Sequence, residues 1–285
     1  MTEYTTPTFR PPPGACDTHI HVYDRTAPLA RTAVADPPSG SVADYCKLQR
    51  SLGLERVVVV QPSAYGTDNR VTVNAVSSFG PDIARGIAVV DDETSDAELA
   101  RLTRAGTVGA RFLMLPGGAI GWEQLDRIAA RVTEHGWHVQ LQLDGRSLPD
   151  RMSQIERWPG RIVIDHVGKF IKPVSVDHSG FRCLLDLLET GRVWVKLSAP
   201  YEVSESGPPD YEDVSILARA LVDAAPERML WASNWPHPST PHNPPDDSQL
   251  LSLLDAWVEN VAIREQILVS NPALLYGFKT LNHSM

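Results

Sequence analysis

The sequence predicts an α/β protein with the (β/α)8, or TIM, barrel fold, in which eight parallel strands alternate with helices. The length of 285 residues suits this fold, which typically needs about 250 residues. Short β-branched runs alternate eight times with amphipathic stretches, as strands and helices do in a parallel barrel. The main rival, a doubly wound open sheet, would carry a glycine-rich phosphate loop after its first strand. Neither G-x-G-x-x-G nor G-x-x-x-x-G-K is present.

Each predicted strand is apolar almost throughout, which is typical of strands buried on both faces. In chain order the strands are predicted at 15–22, 56–61, 86–91, 109–114, 138–143, 162–166, 193–198 and 229–234. Helical periodicity is found between them at 96–105, 122–135, 181–190 and 212–225. Helical stretches at 248–261 and 263–269 are expected to close the barrel and cover its base. Residues 1–14 are predicted to be an extended arm and residues 15–285 a single barrel domain, because no linker divides the chain.

Composition excludes several classes of protein. Hydrophobic residues at 42% and charged residues at 21% are close to globular averages, so the chain can form a core. A net charge of -9 without a basic cluster argues against a nucleic-acid partner. Without a membrane-spanning apolar run or a signal-peptide pattern, we expect a cytoplasmic protein with no membrane partner. The three cysteines, Cys16, Cys46 and Cys183, match neither a disulfide framework nor a zinc finger, and the oligomeric state is left open.

Polar residues occur at the carboxyl ends of the predicted strands, where catalytic side chains project in this fold. Such groups are costly to bury unless they face water, a ligand or one another. Their convergence therefore predicts a functional site. The residues are His19, His21, Gln61, Asp91, Arg111, Gln142, Asp144, Asp165, His166, Lys196, Ser198, Asn234 and His237.

His19 and His21 lie two residues apart, so their side chains point to the same face of the first strand, into the barrel mouth. Two imidazoles on one face can chelate a divalent metal or donate hydrogen bonds to a substrate carbonyl. Two solvated histidines at a strand end are the alternative. Their place on the first strand of a predicted barrel favours the functional interpretation.

Several segments together resemble the amidohydrolase superfamily. The resemblance is carried by DTHIH at 17–21, IDHVGK at 164–169 and WASNWPHP at 231–238, with further matches at 60–63, 66–69 and 85–91. It extends over nearly the whole chain, from Pro11 to Tyr276. It is strongest to the branch that contains 2-pyrone-4,6-dicarboxylate lactonase, 4-sulfomuconolactone hydrolase and galactarolactone isomerase. The resemblance implies an amidohydrolase-like TIM barrel and an enzyme that acts on small lactones.

The resemblance also implies that His19, His21 and His166 surround the scissile lactone carbonyl. In the lactonases an acidic residue on strand eight activates water, whereas this chain has Asn234 there. An amide cannot take a proton from water at neutral pH. Asn234 therefore either marks the isomerase-like subgroup, which the chain also resembles at 115–119 and 226–228, or is an engineered substitution that traps substrate.

The same resemblance indicates whether the protein binds a metal ion. The metal-dependent relatives have a histidine on strand five and an aspartate on strand eight, and the residues here, Gln142 and Asn234, are poor zinc ligands. His19 and His21 without a carboxylate form an incomplete ligand set. We therefore expect that no cofactor is required. A divalent metal such as zinc, held by His19 and His21, is the alternative.

Arg111 ends a buried strand, where an unpaired guanidinium is costly. We expect it to bind the carboxylate or sulfonate of a substrate at two points, with Lys169 as a second positive group. An internal salt bridge to Asp144 or Asp91 is the alternative. The groups that contact the guanidinium distinguish these two roles.

Five further residues are expected near the substrate. Gln61 and Gln142 would hydrogen-bond its hydroxyls, or else tie strand ends together. Tyr201 and Glu202 follow strand seven; Tyr201 would line the pocket, and Glu202 is expected to be a solvated loop carboxylate, with replacement of the missing base as the alternative. His237, in the turn after strand eight, would orient the substrate or else only pack.

The sequence thus predicts an enzyme that hydrolyses a small anionic lactone, with histidines polarising the carbonyl and stabilising the oxyanion. A lactone isomerase of the galactarolactone type, in which a substrate hydroxyl replaces water, is the first alternative. A catalytically weakened barrel that only binds lactones or sugar acids is the second, and Asn234 is the one feature that favours it. The residues do not specify which lactone is bound.

Overall fold

The computed structural model describes residues 6–34 and 36–279. Within these residues, eight parallel strands pair in chain order and form a nearly closed barrel, so the predicted TIM barrel is confirmed. Residues 1–5 of the predicted arm, and residues 280–285, lie outside the described residues. The strands are β1 (Cys16–Ile20), β2 (Arg56–Val60), β3 (Ala84–Ala88), β4 (Thr107–Leu113), β5 (His138–Gln142), β6 (Ile162–Ile164), β7 (Val193–Leu197) and β8 (Met229–Trp231).

Helices follow the strands and pack around the barrel. They are α1 (Val42–Leu52), α2 (Arg70–Phe79), α3 (Asp96–Arg104), α4 (Leu125–Glu134), α5 (Leu148–Arg157), α6 (Ser179–Glu189), α7 (Glu212–Ala224), α8 (Asp247–Trp257), α9 (Val261–Glu265) and α10 (Asn271–Tyr276). A π-helical turn at Gln266–Ser270 joins α9 to α10. Among the helices in the described part of the chain, none is both long and apolar enough to cross a membrane.

Strand β3 begins two residues before its predicted start and ends earlier than expected. Arg85 lies within it and extends its guanidinium to the backbone, with Nε donating to the Tyr276 carbonyl at 3.1 Å. After the strand, Asn69 binds both backbone groups of Val89, at 2.9 Å to N and 2.8 Å to O. The side chain of Asn69 thus replaces a neighbouring strand, and the last apolar residues of the predicted strand belong to the loop.

The C-terminal segment lies against the amino-terminal ends of the strands. Asn271 donates to the Met229 carbonyl at 2.8 Å, and Arg56 donates to the Lys279 carbonyl at 2.6 Å. Tyr276 and Phe278 join the apolar side chains inside the barrel. The base of the barrel is therefore filled, and the opposite end, where the strands finish, holds the polar residues.

The barrel closes between β8 and β1. The backbone N–H of Asn234 donates to the His19 carbonyl at 3.0 Å, and that of His21 donates to the Trp235 carbonyl at 2.8 Å. The buried Asp17 carboxylate accepts from Ser233 Oγ at 2.6 Å and from the Ser233 N–H at 3.0 Å. This closure brings the histidines of β1 next to Asn234.

Candidate active site

Three of the predicted histidines meet at the barrel mouth. The ring of His19 has its centroid 4.8 Å from that of His21 and 4.9 Å from that of His166. All three side chains are buried. The parallel strands explain this convergence, because their carboxyl ends open at the same end of the barrel.

Hydrogen bonds determine which ring nitrogens of these histidines carry protons. His21 Nδ1 lies 2.8 Å from the Val60 carbonyl, which can only accept, so Nδ1 is protonated and Nε2 is a lone pair. His19 Nε2 lies 3.3 Å from that lone pair and donates to it. His166 Nδ1 lies 2.8 Å from Ser198 Oγ. With Ser198 donating, His166 carries its proton on Nε2.

The three imidazoles are neutral at neutral pH. Burial lowers the pKa of His21 to about 3, and the positive charge of Arg111 reinforces the shift. Burial also lowers the pKa values of His19 and His166 well below the usual range of histidine, and Lys196 adds to the effect at His19. These residues therefore act as hydrogen-bond donors rather than as positive charges.

A buried ion-pair network lies directly beneath His19. Lys196 Nζ donates to the Thr18 carbonyl and to Gln140 Oε1, both at 2.8 Å, and lies 3.6 Å from Asp165 Oδ1. Gln140 Nε2 donates to Asp165 Oδ2 at 3.0 Å. Burial lowers the pKa of Lys196 to about 8, and the Asp165 charge opposes that shift. His19 Nδ1 lies 3.3 Å from Lys196 Nζ, so the ammonium donates to it and fixes its tautomer.

Arg111 makes no ion pair with Asp144 or Asp91, so the salt-bridge alternative is wrong. Its Nη1 donates to the Gln61 carbonyl at 2.8 Å and its Nη2 to Gln142 Oε1 at 2.7 Å. Its buried Nε has no hydrogen-bond partner. The guanidinium is 5% exposed, and burial lowers its pKa. A buried, charged donor without a carboxylate against it is suited to an anionic ligand.

The two glutamines serve mainly to support other groups. Gln61 Nε2 donates to the Gly66 and Asp68 carbonyls, each at 2.9 Å, and Gln61 Oε1 accepts from Thr72 at 2.6 Å. Gln142 holds Arg111 in place. The structure thus favours the second of the two roles considered for Gln61, tying the loop after β2 to the strand end.

Lys169 is already paired within the protein. Its ammonium contacts the Glu202 carboxylate, and the two side chains are 12% and 6% exposed. Glu202 Oε1 also accepts from Ser239 Oγ at 2.6 Å. The expectation of a solvated Glu202 is therefore wrong. Burial and the nearby Arg111 charge lower the pKa of Lys169 to about 7, and the Asp165 carboxylate opposes that shift.

Asn234 belongs to a second chain of polar contacts. Its Nδ2 donates to Tyr201 Oη at 2.9 Å and to Glu202 Oε1 at 3.3 Å. Tyr201 Oη lies 2.9 Å from His237 Nδ1, and His237 Nε2 lies 3.1 Å from Asp247 Oδ1. Asp247, in the first turn of α8, was missed from the sequence because no motif or spacing connects it to the strand ends. Gln140 was also missed, although a glutamine inside an apolar strand is itself a signal.

Comparison with known proteins decides the family. The family model described as Amidohydrolase matches residues 16–278. D-galactarolactone isomerase from Agrobacterium fabrum is 36% identical over 93% of this chain and 91% of its own. 4-Sulfomuconolactone hydrolase from Rhizobium radiobacter is 37% identical over 94% and 92%. An apo crystal structure from Agrobacterium tumefaciens superposes with a TM-score of 0.91 at 35% identity, covering 97% of this chain and 100% of that chain.

The chain belongs to the amidohydrolase family. The predicted resemblance and the prediction of an enzyme of this family are thereby confirmed. The residues that carry the resemblance, on β1, β6 and β8, are the ones that the fold gathers at the barrel mouth. Five of them have left-handed backbone conformations that non-glycine residues seldom adopt: His166 (φ 56°), Val167 (φ 55°), Lys169 (φ 50°), Asn234 (φ 63°) and His237 (φ 61°). Such strain clusters at functional sites.

Amidohydrolases often use a divalent metal, and one group of residues here could hold one. Candidate ligand atoms of His19, Asp165 and His166 lie within 4.8 Å of one another. Asp165 Oδ1 accepts no hydrogen bond, so its lone pairs are free to coordinate a metal ion. However, the Lys196 ammonium lies 3.6 Å from that oxygen and already compensates its charge. With Asn234 in place of a carboxylate, the residues fit a divalent cation poorly.

The buried histidines predict loss of stability in acid. His19, His21, His166 and the similarly buried His138 have lowered pKa values in the folded chain. The unfolded chain therefore binds more protons below pH 6.5. We expect the free energy of unfolding to be largest above that pH and to fall below it, by up to about 1.4 kcal/mol per pH unit for each histidine. Asp17, whose pKa is raised to about 6 by burial, opposes part of this fall.

Urea unfolding at pH 7.5, 6.5 and 5.5 measures the effect. The matched variant is His138→Gln, which removes one titrating group at the start of β5, where its ring packs against Tyr276. Between pH 6.5 and 5.5 its free energy of unfolding should fall by about 1 kcal/mol less than that of the unsubstituted chain. A free energy of unfolding that stays constant over this range would contradict the assignment of buried neutral histidines.

Proposed function

We propose that this amidohydrolase catalyses acyl transfer at the carbonyl of a small anionic lactone, opening the ring by hydrolysis. The observation that carries the proposal is the pairing of neutral, buried imidazoles with the unpaired guanidinium of Arg111 at one barrel mouth. The imidazoles suit a carbonyl that becomes an oxyanion, and the guanidinium suits a carboxylate or sulfonate. A lactone that carries an acid group offers both.

The histidines would stabilise the transition state. His166 presents an Nε2 proton with the tautomer assigned above, whereas the Nε2 proton of His19 is donated to His21 and holds those two rings together. A neutral donor aimed at a developing oxyanion stabilises it more than it stabilises the uncharged carbonyl. The burial of His166 strengthens the interaction, because little water competes for the charge.

The charges of the mouth favour an anionic substrate. Lys169 is paired with Glu202 and Lys196 with Asp165, so their charges largely cancel. Arg111 remains without a contacting carboxylate, and its Nε–H is free. One substrate acid group would supply the missing negative charge and could bind the guanidinium at two points. The relatives support this choice, since the substrates named for them, galactarolactone and sulfomuconolactone, are small anionic lactones.

Lactone isomerisation is the second candidate, and Asn234 is the observation that favours it. Hydrolysis by a strand-eight carboxylate requires a base that this amide does not supply. In isomerisation a hydroxyl of the substrate attacks its own lactone carbonyl, and the original ring oxygen leaves. Both candidates are the same acyl transfer with a different nucleophile.

The test is incubation with a panel of anionic lactones, followed by NMR. Ring opening identifies hydrolysis, and migration of the acyl group between hydroxyls identifies isomerisation. Saturable binding without either reaction would identify a barrel that only binds lactones and would contradict the proposal. Neutral lactones of the same ring size serve as controls and should react poorly, because they leave Arg111 unpaired.

Arg111→Met should lower kcat/KM at least about tenfold, or about 1.4 kcal/mol of transition-state binding, because the acid group loses its partner. Arg146→Met is the matched control, since that arginine pairs with Asp144 at the edge of the mouth. Steady-state kinetics and thermal melting measure both variants. A large fall in melting temperature with unchanged kinetics for Arg111→Met would assign the residue to the scaffold instead.

Asn234→Asp should raise hydrolysis about 10²- to 10⁴-fold, the usual contribution of a positioned general base, because a carboxylate can take a proton from water. If the natural reaction is isomerisation, the product should also change from migrated lactone to open acid. Product analysis by NMR measures both. No change in either reaction would show that the base does not act from strand eight.

We also propose that turnover needs no metal. Dialysis against a strong chelator should leave kcat unchanged, because Lys196 already occupies the charge position next to Asp165. Elemental analysis should find zinc well below one equivalent per chain. Stoichiometric zinc, together with activity that chelation abolishes and zinc restores, would contradict the proposal.

A further inference from the structure

Tyr201, His237 and Asp247 form a chain of polar contacts that ends beside Asn234. Two of the contacts are hydrogen bonds, at 2.9 Å from Asn234 Nδ2 to Tyr201 Oη and 2.9 Å between Tyr201 Oη and His237 Nδ1. The third, 3.1 Å from His237 Nε2 to Asp247 Oδ1, is within ion-pair distance but lacks hydrogen-bond geometry. His237 and Asp247 are buried, at 2% and 8% exposure. The sequence suggested pocket lining for Tyr201 and substrate orientation for His237, and neither role requires this chain.

The chain has a defined direction. The amide Nδ2 of Asn234 can only donate, so Tyr201 Oη accepts from it and must place its own proton elsewhere. The only other partner of that hydroxyl within the described residues is His237 Nδ1, which therefore accepts. His237 then carries its proton on Nε2, facing Asp247. One lone pair of Tyr201 Oη remains available to a substrate.

We propose that Tyr201 is the proton acceptor and donor of the acyl transfer, and that His237 and Asp247 are the positioning residues that make it one. This inference rests on the proposed function. Tyr201 lies in the turn Pro200–Glu202 that follows β7, and its hydroxyl is 2.9 Å from Nδ2 of Asn234, the residue at the strand-eight position. The backbone N–H of Asn234 bonds the His19 carbonyl, which links this hydroxyl to the strand that carries the histidines.

The protons balance over the reaction. The attacking hydroxyl, from water or from the substrate, forms its bond to the carbonyl carbon and gives its proton to Tyr201 Oη. Tyr201 passes its own proton to His237 Nδ1, and Asp247 stabilises the resulting imidazolium. When the ring C–O bond breaks, Tyr201 returns a proton to the leaving oxygen and regains one from His237. Isomerisation leaves no net change, whereas hydrolysis releases one proton with the product carboxylate.

The residues of the relay also border open space. His237 and Asp247 border an open cleft of about 870 Å³, which lies outside the histidine cluster. Tyr201 borders a second cavity of about 320 Å³. The chain therefore connects the strand-eight side of the mouth to solvent.

The amide of Asn234 sets the direction of the Tyr201 proton. Because Asn234 Nδ2 donates to Tyr201 Oη, the hydroxyl proton is directed to His237 Nδ1. The other buried acid in reach, Glu202, is engaged by Lys169, Ser239 and Asn234, so its role is to hold the loop rather than to accept a proton.

The test compares Tyr201→Phe with Tyr211→Phe, which removes the hydroxyl of a neighbouring buried tyrosine that borders the same cavity. With a lactone identified by the panel, Tyr201→Phe should lower kcat at least about 100-fold with little change in KM, and Tyr211→Phe should leave both nearly unchanged. Asp247→Asn should lower kcat about tenfold without changing KM, because it acts through His237.

A proton inventory in mixtures of H2O and D2O distinguishes a relay from a structural role. A plot of kcat against the fraction of D2O should be curved for the unsubstituted enzyme, since two protons move together. The same plot should be straight for Tyr201→Phe. A kcat for Tyr201→Phe equal to that of Tyr211→Phe would overturn the proposal, and so would loss of activity confined to Glu202→Gln. Either result leaves the proposed function intact.

The 15N NMR spectrum of His237 supplies a test that needs no substrate. The proposal requires a bare Nδ1 and a protonated Nε2, with the Nδ1 signal shifting in Tyr201→Phe. A proton on Nδ1 would overturn the relay. If instead no lactone reacts while the tautomer is as stated, the proposed function fails and the chain of polar contacts stands.

Discussion

The Lys196 ammonium is fully buried beneath the barrel mouth, where an uncompensated charge would be very costly. Its partners are the Thr18 carbonyl, Gln140 and Asp165, and each comes from a different strand. The same ammonium donates to His19 and so fixes the tautomer of the first histidine. It also occupies the position next to Asp165 that a metal ion would need. Much of the chemistry of the mouth follows from this single charge.

Because Asp165 compensates Lys196 and Glu202 compensates Lys169, no carboxylate remains in contact with Arg111. The mouth thus combines one free positive charge with three neutral imidazoles, which is the electrostatic complement of a lactone bearing an acid group. Asn234 lies between this cluster and the chain of Tyr201, His237 and Asp247. Its side-chain amide donates to Tyr201 and Glu202 and its backbone N–H donates to the His19 carbonyl, so it joins the two halves of the site without supplying a base of its own.

The sequence predicted the barrel because eight apolar runs and their spacing report burial directly. It predicted His19, His21, His166 and Arg111 because strand ends converge in this fold. The pairing of side chains was harder to predict from the sequence, since it depends on rotamers and on contacts between distant segments. The solvated Glu202 and the Arg111 salt bridge were wrong for that reason, and Asp247 was missed because its contact with His237 crosses the loop before α8.

A crystal structure with an unreactive analogue tests the central claim most directly: a lactam that carries the same acid groups as an anionic lactone. The account predicts that one carboxylate binds the Arg111 guanidinium at two points, within hydrogen-bonding distance of Nε. It also predicts that the ring carbonyl oxygen faces the Nε2 atom of His166. An analogue bound with its acid group away from Arg111, or with its carbonyl away from His166, would contradict the account.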